Sequence, residues 1–205
     1  MINASIVLWI FVILFGMVGL MRAWQKEIIA TASLVLAIFA LNFANRDGRL
    51  AAFVKEPTPG PTVNMAKEKE QAQINRWAIL SIPFLFIAFF GYLGPAITRQ
   101  ASPGRFVDKA RVGAQEGIVG FLLGGINGYI LVSTLARFAF DQKLLPDAGR
   151  FPTANGGPPL FLPLSDGTSW SKLFFIENSA LQILDGTTLI IALVVLFLFV
   201  IVVFI

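Results

Sequence analysis

Two polar residues within an otherwise apolar segment, Glu116 and Asn127, are the strongest candidates for a chemical role. An ionisable or amide group at membrane depth is costly, which makes such residues candidates for proton or ion handling. The structural alternative for Glu116 is an ion pair with a basic side chain such as Lys26 or Lys109. For Asn127 it is a hydrogen bond between helices. We favour the structural role for both.

The usual ingredients of catalysis are missing from this chain. It has no cysteine and no histidine, which excludes disulfides, thiolate catalysis and histidine-ligated metals or haem. The peptide GFLLGG at 120–125 lacks a following lysine, so it is not a phosphate-binding loop. Five carboxylates outside the apolar segments stand alone, without a nucleophile or base at a useful spacing: Asp141, Asp147, Asp166, Glu177 and Asp185. We therefore expect no catalytic residues, no metal, no cofactor and no enzymatic activity.

The elements that carry these residues are apolar helices. Hydrophobic residues make up 56% of the chain and charged residues 14%, against about 25% charged in soluble domains. A helix of about 20 apolar residues spans a bilayer. We predict an all-α, polytopic membrane protein with one membrane domain over 1–205. Its five predicted crossings are 2–21, 28–44, 78–98, 112–140 and 187–205.

The connections differ in composition. A polar loop and helix occupy 45–77, beginning with a proline-rich bend, and the helix continues into the third crossing, which Pro83 kinks and Gly94 with Pro95 ends. A Pro/Gly-rich loop follows at 146–170. Residues 171–185 are expected to form an amphipathic interfacial helix. Its apolar side would consist of Leu173, Phe174, Leu181 and Leu184.

A stripe of glycines follows one face of the fourth crossing. Spacings of three and four residues separate its members, which are Gly113, Gly117, Gly120, Gly124 and Gly128. Small residues at this spacing let helix backbones approach closely in a membrane. The stripe is expected to form a helix-packing interface. We favour packing within the protein, and a homodimer or partner interface and a permeation path remain as alternatives.

Charge predicts location and orientation. The net charge of +4 is typical of basic residues held at a cytoplasmic membrane face, so no nucleic-acid partner is expected. Residues 1–5 carry no basic side chain, which argues against a cleaved signal. The short connections 22–27 and 99–111 hold six Lys plus Arg in nineteen residues. This density predicts that the short connections are cytoplasmic, with the N-terminus outside the cytoplasm and the C-terminus inside.

The pattern over about 1–141 resembles the colicin V production protein (CvpA) family. The basic and acidic turn after the first helix matches at Arg22, Lys26 and Glu27, although Ala23 replaces the family's glycine. The segment entering the fourth helix matches through Asp108 and the first glycines of the stripe. The resemblance implies an inner-membrane protein of toxin export or envelope maintenance. The fifth crossing departs from the family's four-helix pattern.

Three function classes follow from these features. The first is a non-catalytic protein resembling CvpA that acts through helix–helix contacts in envelope homeostasis or export. The second is an accessory subunit of a larger photosynthetic or respiratory complex. The third is a small channel or transporter. Expected partners are membrane lipids and other integral membrane subunits, or self-association; no soluble substrate is indicated.

Overall fold

The chain is helical throughout the part that its computed structural model describes, residues 4–22, 24–44, 65–101, 114–142, 174–184 and 186–204. No strand occurs among these residues, so the all-α prediction is confirmed for them. The helices are α1 (Ala4–Arg22), α2 (Trp24–Ala44), α3 (Met65–Ala101), α4 (Ala114–Asp141), α5 (Phe174–Glu177), α6 (Ala180–Ile183) and α7 (Gly186–Phe204). The proline-rich bend and the Pro/Gly-rich loop of 146–170 lie outside the described residues.

Three helices are long and apolar enough to span a membrane, Trp24–Ala44, Gln71–Leu93 and Gln115–Asp141. A fourth span is obtained if Phe174–Ile183 and Gly186–Ile201 count together, although their axes differ by 70°. Helix α1 is apolar but shorter over its described side chains. By this measure the described residues contain three or four spans, fewer than the five expected from the sequence.

Helix α3 is longer than its sequence suggests. It begins in the polar segment and continues through Pro83, as predicted, but it also continues through Gly94 and Pro95 to Ala101. The prediction that these two residues end the helix was wrong. A proline inside a membrane helix is tolerated when neighbouring groups satisfy the backbone carbonyls that it frees.

Packing between the helices does not follow chain order. Helix α1 packs mainly against α4, while α2 packs mainly against α3 and, less extensively, against α4 and α7. Helices α1 and α2 touch only a little, although they are neighbours in the chain. The core lies between α2, α3 and α4, where Leu34 and Ile38 are fully buried and Phe84 meets Phe138 edge-on at 5.8 Å.

The outward faces of the long helices are apolar. Large hydrophobic side chains are exposed on α1, α3, α4 and α7, among them Ile10, Phe86, Leu122 and Phe197. Helix α7 is the most extreme case, because Leu189 is its only buried hydrophobic residue among those described. Such a surface suits lipid or other membrane helices.

The interfacial helix predicted over 171–185 is not a single helix. Two four-residue helices, α5 and α6, are separated at Asn178 and Ser179. The predicted apolar face is correct in part: Leu181 and Leu184 pack against the core, whereas Phe174 is half exposed and Phe175 and Ile176 are fully buried instead. Leu173 lies outside the described residues. The Trp9 ring of α1 lies edge-on to Phe175 at 5.0 Å, which places this segment against the bundle.

Three side chains on one face of α4 form hydrogen bonds with the segment that contains α5 and α6. Tyr129, Ser133 and Arg137 recur every four residues and therefore share one face of the helix. The Tyr129 hydroxyl donates to the carbonyl of Asn178, and Arg137 Nη1 donates to the carbonyl of Ile176 at 3.4 Å. Ser133 Oγ accepts from the Ala180 amide at 3.3 Å. The bonds from Tyr129 and Ser133 satisfy a carbonyl and an amide that the helix break leaves unpaired, while the Ile176 carbonyl also accepts from the Ser179 amide.

Candidate functional site: a buried polar cluster

The corner between α1 and α2 is tighter than the predicted connection of 22–27. Helix α1 ends at Arg22 and α2 begins at Trp24, so Lys26 and Glu27 lie in the first turn of α2. The second helix was expected to begin at residue 28. The earlier start turns the Glu27 side chain into the bundle, where it is 0% exposed.

Five side chains, Glu27 included, come together here, and we call them the Glu27 cluster. They come from four helices: Arg22 of α1, Glu27 and Thr31 of α2, Tyr92 of α3, and Asn127 of α4. Asn127 lies 13 residues beyond Ala114, or about 20 Å along α4 at a rise of about 1.5 Å per residue. The cluster is therefore near the middle of α4, beside the end of α1 and the first turn of α2.

Arg22 joins three helices. Its Nη1 lies 3.4 Å from Glu27 Oε1, and its Nη2 donates to the backbone carbonyl of Tyr92 at 2.8 Å. Its guanidinium carbon is 4.7 Å from the centre of the Tyr92 ring, a cation–π distance. Arg22 thus pairs with the charge of Glu27 and also binds the backbone carbonyl and the ring of Tyr92.

Asn127 is fully buried and satisfies both ends of its amide. Its Nδ2 donates to the Glu27 carbonyl and to Glu27 Oε2, both at 3.0 Å. Its Oδ1 lies 2.7 Å from the Thr31 hydroxyl, which is also 2.9 Å from the Glu27 carbonyl. Since a carbonyl can only accept, the amide nitrogen must face Glu27. The expected interhelical hydrogen bond of Asn127 is present, between α4 and α2.

Two buried oxygens of the cluster accept or donate nothing among the described residues. One is Glu27 Oε1, which has its ion pair with Arg22 but no hydrogen bond. The other is the Tyr92 hydroxyl, which interacts electrostatically with Glu27 and lies beside Asn127. Buried polar atoms are normally paired, so an unpaired one marks strain, function or an exchangeable group.

Glu116, the acidic residue singled out from the sequence, does not belong to this cluster. It lies in the first turn of α4 and is partly exposed. Eleven residues, or about 17 Å of helix, separate it from Asn127. Lys109 lies outside the described residues.

The glycine stripe of α4 faces α1. An added Cβ at Gly120 would collide with the carbonyl of Gly19, and one at Gly124 would lie 2.5 Å from the carbonyl of Phe15. Gly128 meets the Phe15 side chain, whereas Gly117 has ordinary room beside Leu20. The described part of the stripe therefore packs inside the protein; Gly113 lies outside the described residues.

Sequence reasoning missed the importance of Glu27 and Tyr92. The sequence analysis noted Glu27 only as part of a turn. It did not single out Tyr92, which lies within the third predicted crossing. The available signal was the charge of Glu27 directly before a long apolar run, since a carboxylate there must either reach water or be buried with a partner.

The cluster holds one carboxylate and one guanidinium, joined by amide and hydroxyl groups. Among the residues that the structure describes, no three Asp or Glu side chains come together in a way that could hold a metal ion. The arrangement is suited to holding helices together and to exchanging a proton.

Comparison with known proteins found no matching family model, no similar curated protein and no similar solved structure.

Proposed function

We propose that this protein is a non-catalytic integral membrane protein that acts through contacts with other membrane proteins, in envelope homeostasis or export, as its CvpA-like pattern implies. One observation carries the proposal. Several polar side chains of the long helices, among them Glu27 and Asn127, are buried and bonded inside the bundle, while large apolar side chains cover the outer surfaces of α1, α4 and α7. What the protein presents at membrane depth is therefore a helix surface and not a reactive group.

We include α1 and α7 among the crossings in this proposal, which gives five. Each contains 19 residues, or about 28 Å of helix, close to the roughly 30 Å of a hydrocarbon core. The N-terminus would lie outside the cytoplasm and the C-terminus inside. Because the chain has no cysteine, single cysteines in the connections can be tested for labelling from either side of the inner membrane.

The decisive experiment is extraction in a mild detergent at native expression, followed by a native gel and mass spectrometry. Migration as a small assembly with transport or envelope proteins supports the proposal, and a deletion strain should then show an envelope-stress or secretion defect. Stoichiometric migration with one large photosynthetic or respiratory complex would instead make it an accessory subunit. Migration alone, with no phenotype, would contradict both.

A channel or transporter is favoured by a different observation, the burial of Glu27 and Asn127 within spanning helices. In that case Glu27→Gln should abolish flux in proteoliposomes without loss of protein. Glu116→Gln is the matched test of the sequence-based candidate. Unchanged flux in both variants, or no flux in the wild type, would exclude this role.

A further inference from the structure

The Glu27 carboxylate is only partly engaged by its neighbours. Oε2 accepts one hydrogen bond, from Asn127 Nδ2 at 3.0 Å. Oε1 accepts none from the described residues, and its nearest cation is Arg22 Nη1 at 3.4 Å. A carboxylate offers about four lone-pair sites. Oε1 therefore has free capacity although the side chain is 0% exposed.

The geometry decides which oxygen a proton would occupy. The Asn127 amide cannot turn over, because its nitrogen also donates to the Glu27 carbonyl. Oε2 thus always faces the N–H group of Asn127. A proton on Oε2 would compete with that N–H for the same oxygen. A proton on Oε1 leaves every hydrogen bond of Asn127 intact.

Three helices other than α2 each place one group near this charge. Arg22 faces Glu27 from α1, Tyr92 from α3 and Asn127 from α4. On α2 itself, Thr31 bonds to the Glu27 carbonyl, and Lys26 has an interaction of its own. Arg22 forms an ion pair with the carboxylate, so its position depends on the charge of Glu27.

We propose that Glu27 is a proton-binding site: a hydronium ion from the membrane surface gives its proton to Oε1, leaving water and a neutral carboxylic acid. Arg22 then loses its counter-charge. It is 20% exposed and keeps its bonds to the Tyr92 carbonyl and ring, so the bundle stays folded while the α1–α2 corner loosens. The site couples acidity to the position of α1 and does not depend on the contact function proposed above.

Infrared spectroscopy of the reconstituted full-length protein tests the site. On acidification the wild type should gain the C=O stretching band of a protonated carboxylic acid. That component should be absent in Glu27→Gln and unchanged in Glu116→Gln, the matched control. Glu27→Asp keeps the acid but moves it by one methylene, so the band should persist at a different frequency; this variant decides the question if Glu27→Gln does not fold. An acid band that is the same in all variants would overturn the proposal.

The movement of the corner has its own readout. Met21 precedes Arg22 and is 80% exposed, and the chain has no native cysteine, so Met21→Cys accepts a spin label at a single position. We expect the label to become more mobile on acidification, and to lose this response when Glu27→Gln is added. An equal response in both backgrounds, or none in either, would overturn the coupling of the proton to Arg22.

Discussion

The packing of α1 on α4 can be tested with one methyl group. In Gly124→Ala the new Cβ would lie 2.5 Å from the carbonyl oxygen of Phe15 and 2.9 Å from the Cα of Gly19. Both neighbours are backbone atoms, which cannot move without moving the whole helix. In Gly125→Ala, the adjacent position, the new Cβ has nothing within 4 Å. The two substitutions are chemically identical and differ only in the face they occupy.

The size of the effect follows from these distances. Ordinary contact begins at 3.4 Å, so α1 and α4 must separate by about 0.9 Å (3.4 − 2.5) to admit the methyl group. A gap of about 0.5–1 Å forfeits a quarter to a half of the dispersion energy of the atoms concerned. Overpacking of this kind costs about 1–3 kcal/mol. The helix-propensity gain of replacing glycine by alanine is common to both variants and cancels in their difference.

Thermal unfolding in one mild detergent measures this difference. Near-ultraviolet circular dichroism and tryptophan fluorescence report the loss of tertiary packing. For a chain of this size about 1 kcal/mol corresponds to about 2–4 °C in Tm, so Gly124→Ala should melt about 2–12 °C below Gly125→Ala. Gly117→Ala, whose Cβ would lie 3.6 Å from the Leu20 carbonyl, should behave like Gly125→Ala.

The comparison can also fail clearly. Equal melting of the Gly124 and Gly125 variants would mean that α1 does not approach α4 at this point. A larger loss in Gly125→Ala would place the close contact on the opposite face, where a second copy or another subunit would have to supply it.

Three further substitutions test other contacts, each by thermal unfolding or hydrogen exchange in the same detergent. Asn127→Leu should destabilise the protein by about 1–3 kcal/mol, because it leaves a buried carboxylate without its donor; an unchanged Tm would show that the cluster does not hold the bundle. Gly91→Ala should cost about 1–3 kcal/mol since its Cβ would collide with the Ser33 side chain, and Ser33→Gly should restore part of the loss; no restoration would contradict this contact. Tyr129→Phe should speed amide exchange in 174–184 by removing the donor to the Asn178 carbonyl, with overall stability falling by about 0.5–1.5 kcal/mol; unchanged exchange would argue against this bond from α4.

The sequence by itself determined the class of the protein and the character of its helices. Apolar runs and the absence of strand patterning predict helices in a membrane, because every backbone polar group there must be satisfied within the segment. The spacing of the glycines predicts a close helix contact for the same local reason, since residues three and four apart share a face. These properties depend on neighbours in the chain, so they can be read from the chain.

Only the tertiary structure decided which surfaces meet. The glycines of α4 could have faced another protein, and they face Gly19 and Phe15 of α1. Glu116 and Glu27 both stand at the start of an apolar run, but only Glu27 is enclosed, since Arg22 and Asn127 are brought to it by helices that are distant in sequence from one another. The break at Ser179 likewise depends on side chains of α4 that replace its missing helical bonds. Pairing of this kind is a property of the assembled bundle, because the cost of a buried charge or an unpaired carbonyl is set by partners that no local pattern specifies.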